Sequence, residues 1–290
     1  MTRQTKRRRR TKRVKSTTKV SEMMPRSRAL YNFLKDDWSE FKKVCNRRWS
    51  KFSRTLLQGS FSGSRILGSG YFGLVLSTEE KKLVVKITSD QEEGYFTKLI
   101  LTDNELRFSK GLPLILDNFH IPEWGAFVIL RENVKFGVDK LPKSSPLSRT
   151  LPILDEFGEK VVRIEQKVTQ VLNSLQGLNR KKIQKEDFDY AYREARGLVR
   201  GQIIKSLKRI PSPNSSSKYH EAMFVIRHTL DKYGIALWDL HSLNLGRHQF
   251  DMQEFCEDYP PLDKSCILIL DVGGSFGSPI MTEAIDALEV

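Results

Sequence analysis

What most restricts this chain is the way Arg65-Ile-Leu-Gly-Ser-Gly-Tyr-Phe-Gly-Leu-Val-Leu76 continues after its glycines. Gly68, Gly70, Gly73 and Val75 form a G-x-G-x-x-G-x-V series, which taken alone is weak because dinucleotide folds share it. A dinucleotide fingerprint leads from a strand into a helix. Here the series runs through Leu74-Val75-Leu76, a polar Ser77–Lys82 turn and Leu83-Val-Val-Lys-Ile87, which reads as a β-hairpin. Glycines at a hairpin tip carry no Cβ, so the backbone there can close over phosphates.

Lys86 lies inside the second strand of that hairpin, flanked by apolar residues. A strand lysine is usually a solvent-facing alternate, so its neighbours decide its meaning. The next helix, expected over Gln91–Leu101, has Glu92 and Glu93 in its first turn. Glu92 has Tyr95, Phe96 and Leu99 at i+3, i+4 and i+7, which puts it near the buried face as first choice of partner, with Glu93 as runner-up. Two further strands are expected at Leu112–Leu116 and Ala126–Leu130, the second leading into Arg131-Glu132-Asn133.

Residues 134–216 are less legible. Lys135–Arg149 reads as a polar connection, and Val161, Ile164, Val168, Val171, Leu172 and Leu175 mark an amphipathic helix. Phe188, Ala191, Ala195, Leu198, Ile203 and Leu207 mark another, and Pro211–Ser217 reads as a flexible linker. A helical hairpin filling out the fold is the simpler reading of this span, with a partner-binding insert as the alternative. A helix over Lys218–Lys232 then leads into Tyr233-Gly-Ile-Ala-Leu-Trp-Asp-Leu-His-Ser-Leu-Asn244. This stretch and Ile267-Leu-Ile-Leu-Asp-Val-Gly-Gly274 each deliver one acid from the end of an apolar run: Asp239, followed by Asn244, and Asp271, followed by Gly273.

The net charge of +14 is concentrated at one end. Ten of the 49 Lys/Arg fall in residues 1–20, which contain no acid, and the remaining 39 face 35 acids. Residues 1–26 therefore read as a disordered basic arm. Such an arm is either a solubilising terminus, a grip on nucleic acid or an acidic partner, or a nuclear-import signal in a eukaryotic host. From Ser27 to Gln58, Leu34, Trp38, Phe41, Cys45, Trp49, Phe52 and Leu56 recur at helical spacing and predict a long helix packed against the lobe that comes after it. No apolar run approaches the 18 or so residues of a membrane span, and no apolar signal segment opens the chain. An intracellular, cytoplasmic protein is expected, without membrane partners. Cys45, Cys256 and Cys266 have no C-x-x-C spacing, so neither a disulfide framework nor a zinc site is implied.

In this order the motifs resemble the protein-kinase-like superfamily over about residues 61–277. The resemblance implies an α+β fold of two lobes: an antiparallel β N-lobe over 59–133 and a reduced, mostly helical C-lobe over 134–290, with a helical insert at about 150–210. It implies ATP and Mg²⁺ as cofactors. Gly68, Gly70, Gly73, Val75, Lys86, Glu92 or Glu93, and the hinge at Glu132 would hold the nucleotide, Asp239 would be the catalytic base, and Asn244 and Asp271 would be the metal ligands. The departures are informative. Leu237-Trp-Asp239 lacks the His-Arg that precedes the base in typical eukaryotic protein kinases, His241 makes the loop D-x-H-x-x-N, and Val272 replaces the Phe of D-F-G. His241 would orient the loop or simply pack. Nineteen residues follow Asp271 without an A-P-E motif, so the usual peptide-docking platform is expected to be missing. The compact pattern, with Asp271-Val-Gly-Gly-Ser-Phe276, is similar to the early protein kinases of T7-like bacteriophages, which implies Ser/Thr phosphorylation of protein substrates in the host cytoplasm. The alternatives are a small-molecule kinase of the aminoglycoside type, for which the late acids Glu254, Glu257, Asp258, Asp263, Glu283, Asp286 and Glu289 give loose support, and a silent nucleotide- or nucleic-acid-binding adaptor.

Overall fold

The computed structural model describes Arg28, Tyr31, Asn32 and Leu34, and residues 66–69, 73–78, 80–138, 141–177, 201–202, 204–237, 240, 244–270 and 275–276. The basic arm, residues 35–58 of the expected N-terminal helix, and Gly70, Asp239, His241, Asp271 and Val272 lie outside the described residues, as does the span 178–200.

Over the described residues the protein is α+β. Strands β1 (Ile66–Ser69), β2 (Gly73–Ser77) and β3 (Leu83–Thr88) are followed by helices α1 (Gln91–Thr102) and α2 (Asn104–Arg107). Next come β4 (Ile115–Ile121), β5 (Ala126–Glu132) and β6 (Lys135–Phe136), then α3 (Pro146–Gly177) and α4 (His220–Tyr233). The short strands β7 (Ala236–Leu237), β8 (Leu245–Arg247), β9 (Leu268–Ile269) and β10 (Ser275–Phe276) complete them. Strands β1-β2-β3-β5-β4 make one sheet, antiparallel throughout, with β6-β8-β9 and β10-β7 as smaller sheets.

Side chains on a strand alternate between faces, and this rule sorts the large sheet. The cross-strand rows Leu74–Ile87–Val128 and Leu76–Val85–Leu130 lie on one face, in a core with Tyr31, Leu34, Met252 and Tyr259. Phe127 and Ile129 belong to the other face and pack with Phe96 and Ile100 of α1, and with α3 and α4. Each such side chain contributes about 1.5–3 kcal/mol on burial, so the sheet is held from both sides. Leu34, the first residue of the predicted N-terminal stripe, is fully buried in this way.

Three expectations shift. The strand foreseen at Leu112–Leu116 is instead β4, because Pro113 has no N–H for a ladder and the polar Asp117, Asn118 and His120 hid the real strand. The supposed connection up to Arg149 is already helical from Pro146: proline suits the first helical position, and Ser145 Oγ accepts the Ser148 N–H at 3.1 Å. The Pro211–Ser217 linker is tied to α4, where Arg227 donates to Ser212 and to the Ile210 carbonyl, and the His220 ring lies 3.1 Å from the Pro213 carbonyl. No helix among the described residues is long and apolar enough to cross a membrane.

Asp103 joins α1, α2 and α4. Its Oδ1 caps α2 by accepting from Glu105 and Leu106 N–H, and its Oδ2 accepts from Tyr233 Oη and Lys232 Nζ and faces His228 Nε2. Burial by itself would raise this carboxyl, but the hydrogen bonds from Tyr233, His228, Lys232 and the Leu106 N–H outweigh it and hold the group well below the usual carboxylate range.

Two outcomes are expected from this packing. The native carboxyl titrates below its ordinary 3.8, so its stabilisation is complete above that value and is lost as pH falls through the lower native one. Urea midpoints measured against pH should therefore fall more steeply below about pH 4 in wild type than in Asp103→Asn, which should also be weaker at pH 7. Gly94 faces the ring of Phe127 where a Cβ would collide with it. Gly94→Ala should lose about 1–3 kcal/mol in urea unfolding, although alanine is the better helix former.

Candidate functional site

Val75, Lys86 and Ile129 stand side by side across three strands, and Ser77, Val84 and Arg131 form the next row on that face. This is the face that α1 covers. Asp90 starts α1 by accepting from the Glu92 and Glu93 N–H groups at 2.9 and 3.3 Å. The first turn therefore carries two carboxylates near the positive helix end. Glu93, the runner-up, makes the ion pair with Lys86, and both side chains are nearly buried, at 3% and 12% exposure. Glu92 is half-buried. Placing the first turn takes the sheet as well as the helix: Asn118 of β4 donates to the Gly94 carbonyl at 2.7 Å, and Thr97 bonds back within α1.

The same alternation separates Glu132 from Arg131. Glu132 pairs with Leu83 on the opposite face, fully buried, with its carboxylate 2.9 Å from His248 Nδ1. The second His248 nitrogen lies 3.1 Å from the Lys110 carbonyl. The N–H groups of Glu132 and Asn133 donate to the Leu114 and Lys82 carbonyls at 2.9 and 2.7 Å. At the segment expected to offer backbone contacts as a hinge, the Glu132 side chain is thus turned away from Lys86, and the Glu132 and Asn133 N–H groups are engaged within the protein. Arg131 was not singled out from the sequence, although its two-residue spacing from Ile129 was the available signal.

Strands β8 and β9 pair as Leu245 with Ile269, and one step further the Leu270 N–H donates to the Asn244 carbonyl at 2.8 Å. Leu237 of β7 pairs with Ser275 of β10. Asp239 and Asp271 are outside the described residues, but the stretches on either side of them, 24 or more positions apart in the chain, are thus paired with each other. Asn244 is half-buried beside Leu270.

The glycines divide. A Cβ at Gly73 would run into the Ile87 carbonyl, so close strand contact already requires glycine there. At Gly68 a Cβ would meet nothing within 4 Å. The open space over β1 suits a ligand group approaching the backbone.

Two other features contain none of the predicted residues. Asp103, Glu105 and His228 bring potential metal-ligand atoms within 4.8 Å of one another, the one such group among the described residues. The Lys232 ammonium and the Tyr233 hydroxyl already sit on the Asp103 carboxylate, an arrangement that works as a structural tie. A cavity of about 390 Å³ along α4 is lined by Ser212, Pro213, His220, Phe224, Arg227 and Lys232.

Compared with known proteins, the chain matches no family model and no curated sequence.

The contrast between the glycines is measurable. Gly73→Ala should cost about 1–3 kcal/mol in chemical unfolding. Gly68→Ala should leave stability within about 1 kcal/mol of wild type.

Proposed function

We propose that the protein is an ATP-dependent phosphotransferase with a two-lobed, protein-kinase-like arrangement. The observation that carries this reading is the nearly buried Lys86–Glu93 pair on the α1-covered face of the sheet. Removing both charges from water costs several kcal/mol, so such pairs are weak devices for stability alone. A held ammonium suits nucleotide phosphates. Three further observations support it: Val75 shares the row of Lys86, the backbone at Gly68 is open, and Asn244 is bonded to the residue preceding Asp271.

In this reading the glycine hairpin of Gly68, Gly70 and Gly73 covers the phosphates of ATP, Val75 lies over the base, and Lys86, fixed by Glu93, grips the phosphates. Asn244 and Asp271 would hold Mg²⁺, which when bound would neutralise charge on the phosphates. Asp239 receives the proton of the acceptor hydroxyl. The preferred acceptor is Ser or Thr of a protein, in keeping with the resemblance to compact bacteriophage kinases. The basic arm is assigned an accessory role toward nucleic acid or an acidic partner.

The test uses the full chain with γ-labelled ATP and Mg²⁺, alone and with cell lysate. Protein label should appear with wild type and fall by about 10²–10⁴ in Asp239→Ala. Glu93→Gln should lower ATP-dependent turnover by roughly 10- to 100-fold, the effect of losing one charge-assisted bond, and Glu92→Gln should do less. Label in small molecules instead would favour a metabolite kinase. Turnover unchanged in Asp239→Ala would overturn the assignment.

A further inference from the structure

The geometry points to Arg131 as a positioning residue for the metal-binding end of the site, an assignment that rests on the phosphotransferase reading. Arg131 is 4% exposed and stands on the same sheet face as Lys86, one row away. Its Nη1 donates to the Leu270 carbonyl at 2.8 Å. Its Nε is buried without a hydrogen-bond partner, and no ion pair to the guanidinium is found among the described residues. A buried charge is expensive unless it is paired or well hydrogen-bonded. The bond it does make is therefore the informative feature.

The Leu270 carbonyl belongs to the peptide that leads directly into Asp271, and the Leu270 N–H is bonded to the Asn244 carbonyl. The Leu270 backbone is thus held on both sides: by the loop that supplies one metal ligand and by the strand that runs beside Lys86. Arg131 supplies the second hold with a charged donor, roughly twice as strong as a neutral one. It also joins the large sheet to the residue that follows β9. Arg131 acts through Leu270 and need not touch the ion.

The test measures metal and nucleotide separately on the full chain. Mn²⁺ binding in the presence of a non-hydrolysable ATP analogue is followed by electron paramagnetic resonance, nucleotide binding without metal by fluorescence of a labelled analogue, and the fold by circular dichroism. The Mg²⁺ concentration giving half-maximal turnover is then compared across variants. Arg131→Met and Arg131→Gln should weaken Mn²⁺ binding and raise the Mg²⁺ requirement by about tenfold or more, the scale of one charge-assisted bond. Metal-free nucleotide binding should stay within about twofold, since the bond lies on the metal side. Arg131→Lys, which keeps a charged donor, should recover part of the loss. A purely structural role would lower stability and leave metal affinity per folded molecule unchanged, so a folded Met or Gln variant with wild-type metal affinity overturns the assignment. Wild type that binds no Mn²⁺ beside the nucleotide would remove the underlying reading as well, a result distinct from a variant that behaves like wild type.

Discussion

A lysine ammonium drawn into a β-sheet must meet a carboxylate, and much of this fold serves to bring one to Lys86. Glu93 reaches it only because α1 begins at Asp90, which accepts two first-turn N–H groups. The axis of α1 is then set by Gly94 lying against Phe127 and by Asn118 holding the Gly94 carbonyl. Moving any of these contacts would strand two charges in a medium where an unpaired ion costs several kcal/mol. The pair is therefore a geometric requirement on the sheet and the helix together, more than a net source of stability.

The last two residues of β5 extend that constraint to the rest of the molecule. Successive side chains leave opposite faces, so Arg131 reaches the Leu270 backbone while Glu132 reaches His248. The two neighbours thereby hold the large sheet to both ends of the segment from β8 to β9. Tyr259 reinforces the far side: it packs beside His248 with ring centroids 6.0 Å apart and donates to the Leu112 carbonyl. Its hydroxyl is pushed well above the ordinary tyrosine range, by burial first and then by the nearby Glu132, so it remains a neutral donor. The polar interior is arranged as short ties between elements, with Asp103 playing the same part for α1, α2 and α4.

Elements whose signal is local were legible. The hairpin of β2 and β3, helices α1 and α4 and strand β5 were expected within a few residues of where they lie, because turn residues and the 2.0 and 3.6 periods are short-range properties. β4 and the start of α3 were not. Leu112 and Leu114 are buried in a loop ahead of β4, and Ser145-Pro146 opens a helix that polar composition disguised. The choice between Glu92 and Glu93 was also beyond local reasoning: both lie in one turn, and only the direction of approach of β3 selects between them.

By itself the sequence determined the order of the motifs, the hairpin in place of a strand-to-helix turn, and the residue types that stand in each motif, since these depend on covalent neighbours and side-chain chemistry. Only the tertiary structure decided that Glu93 meets Lys86, that Glu132 turns to His248, that Gly73 is required by strand contact while Gly68 is open, and that Arg131 holds Leu270. Each of those facts joins residues from different strands, helices or loops. Strand register and helix axis set such contacts, and both come from burying the whole core at once, which no stretch of sequence specifies alone.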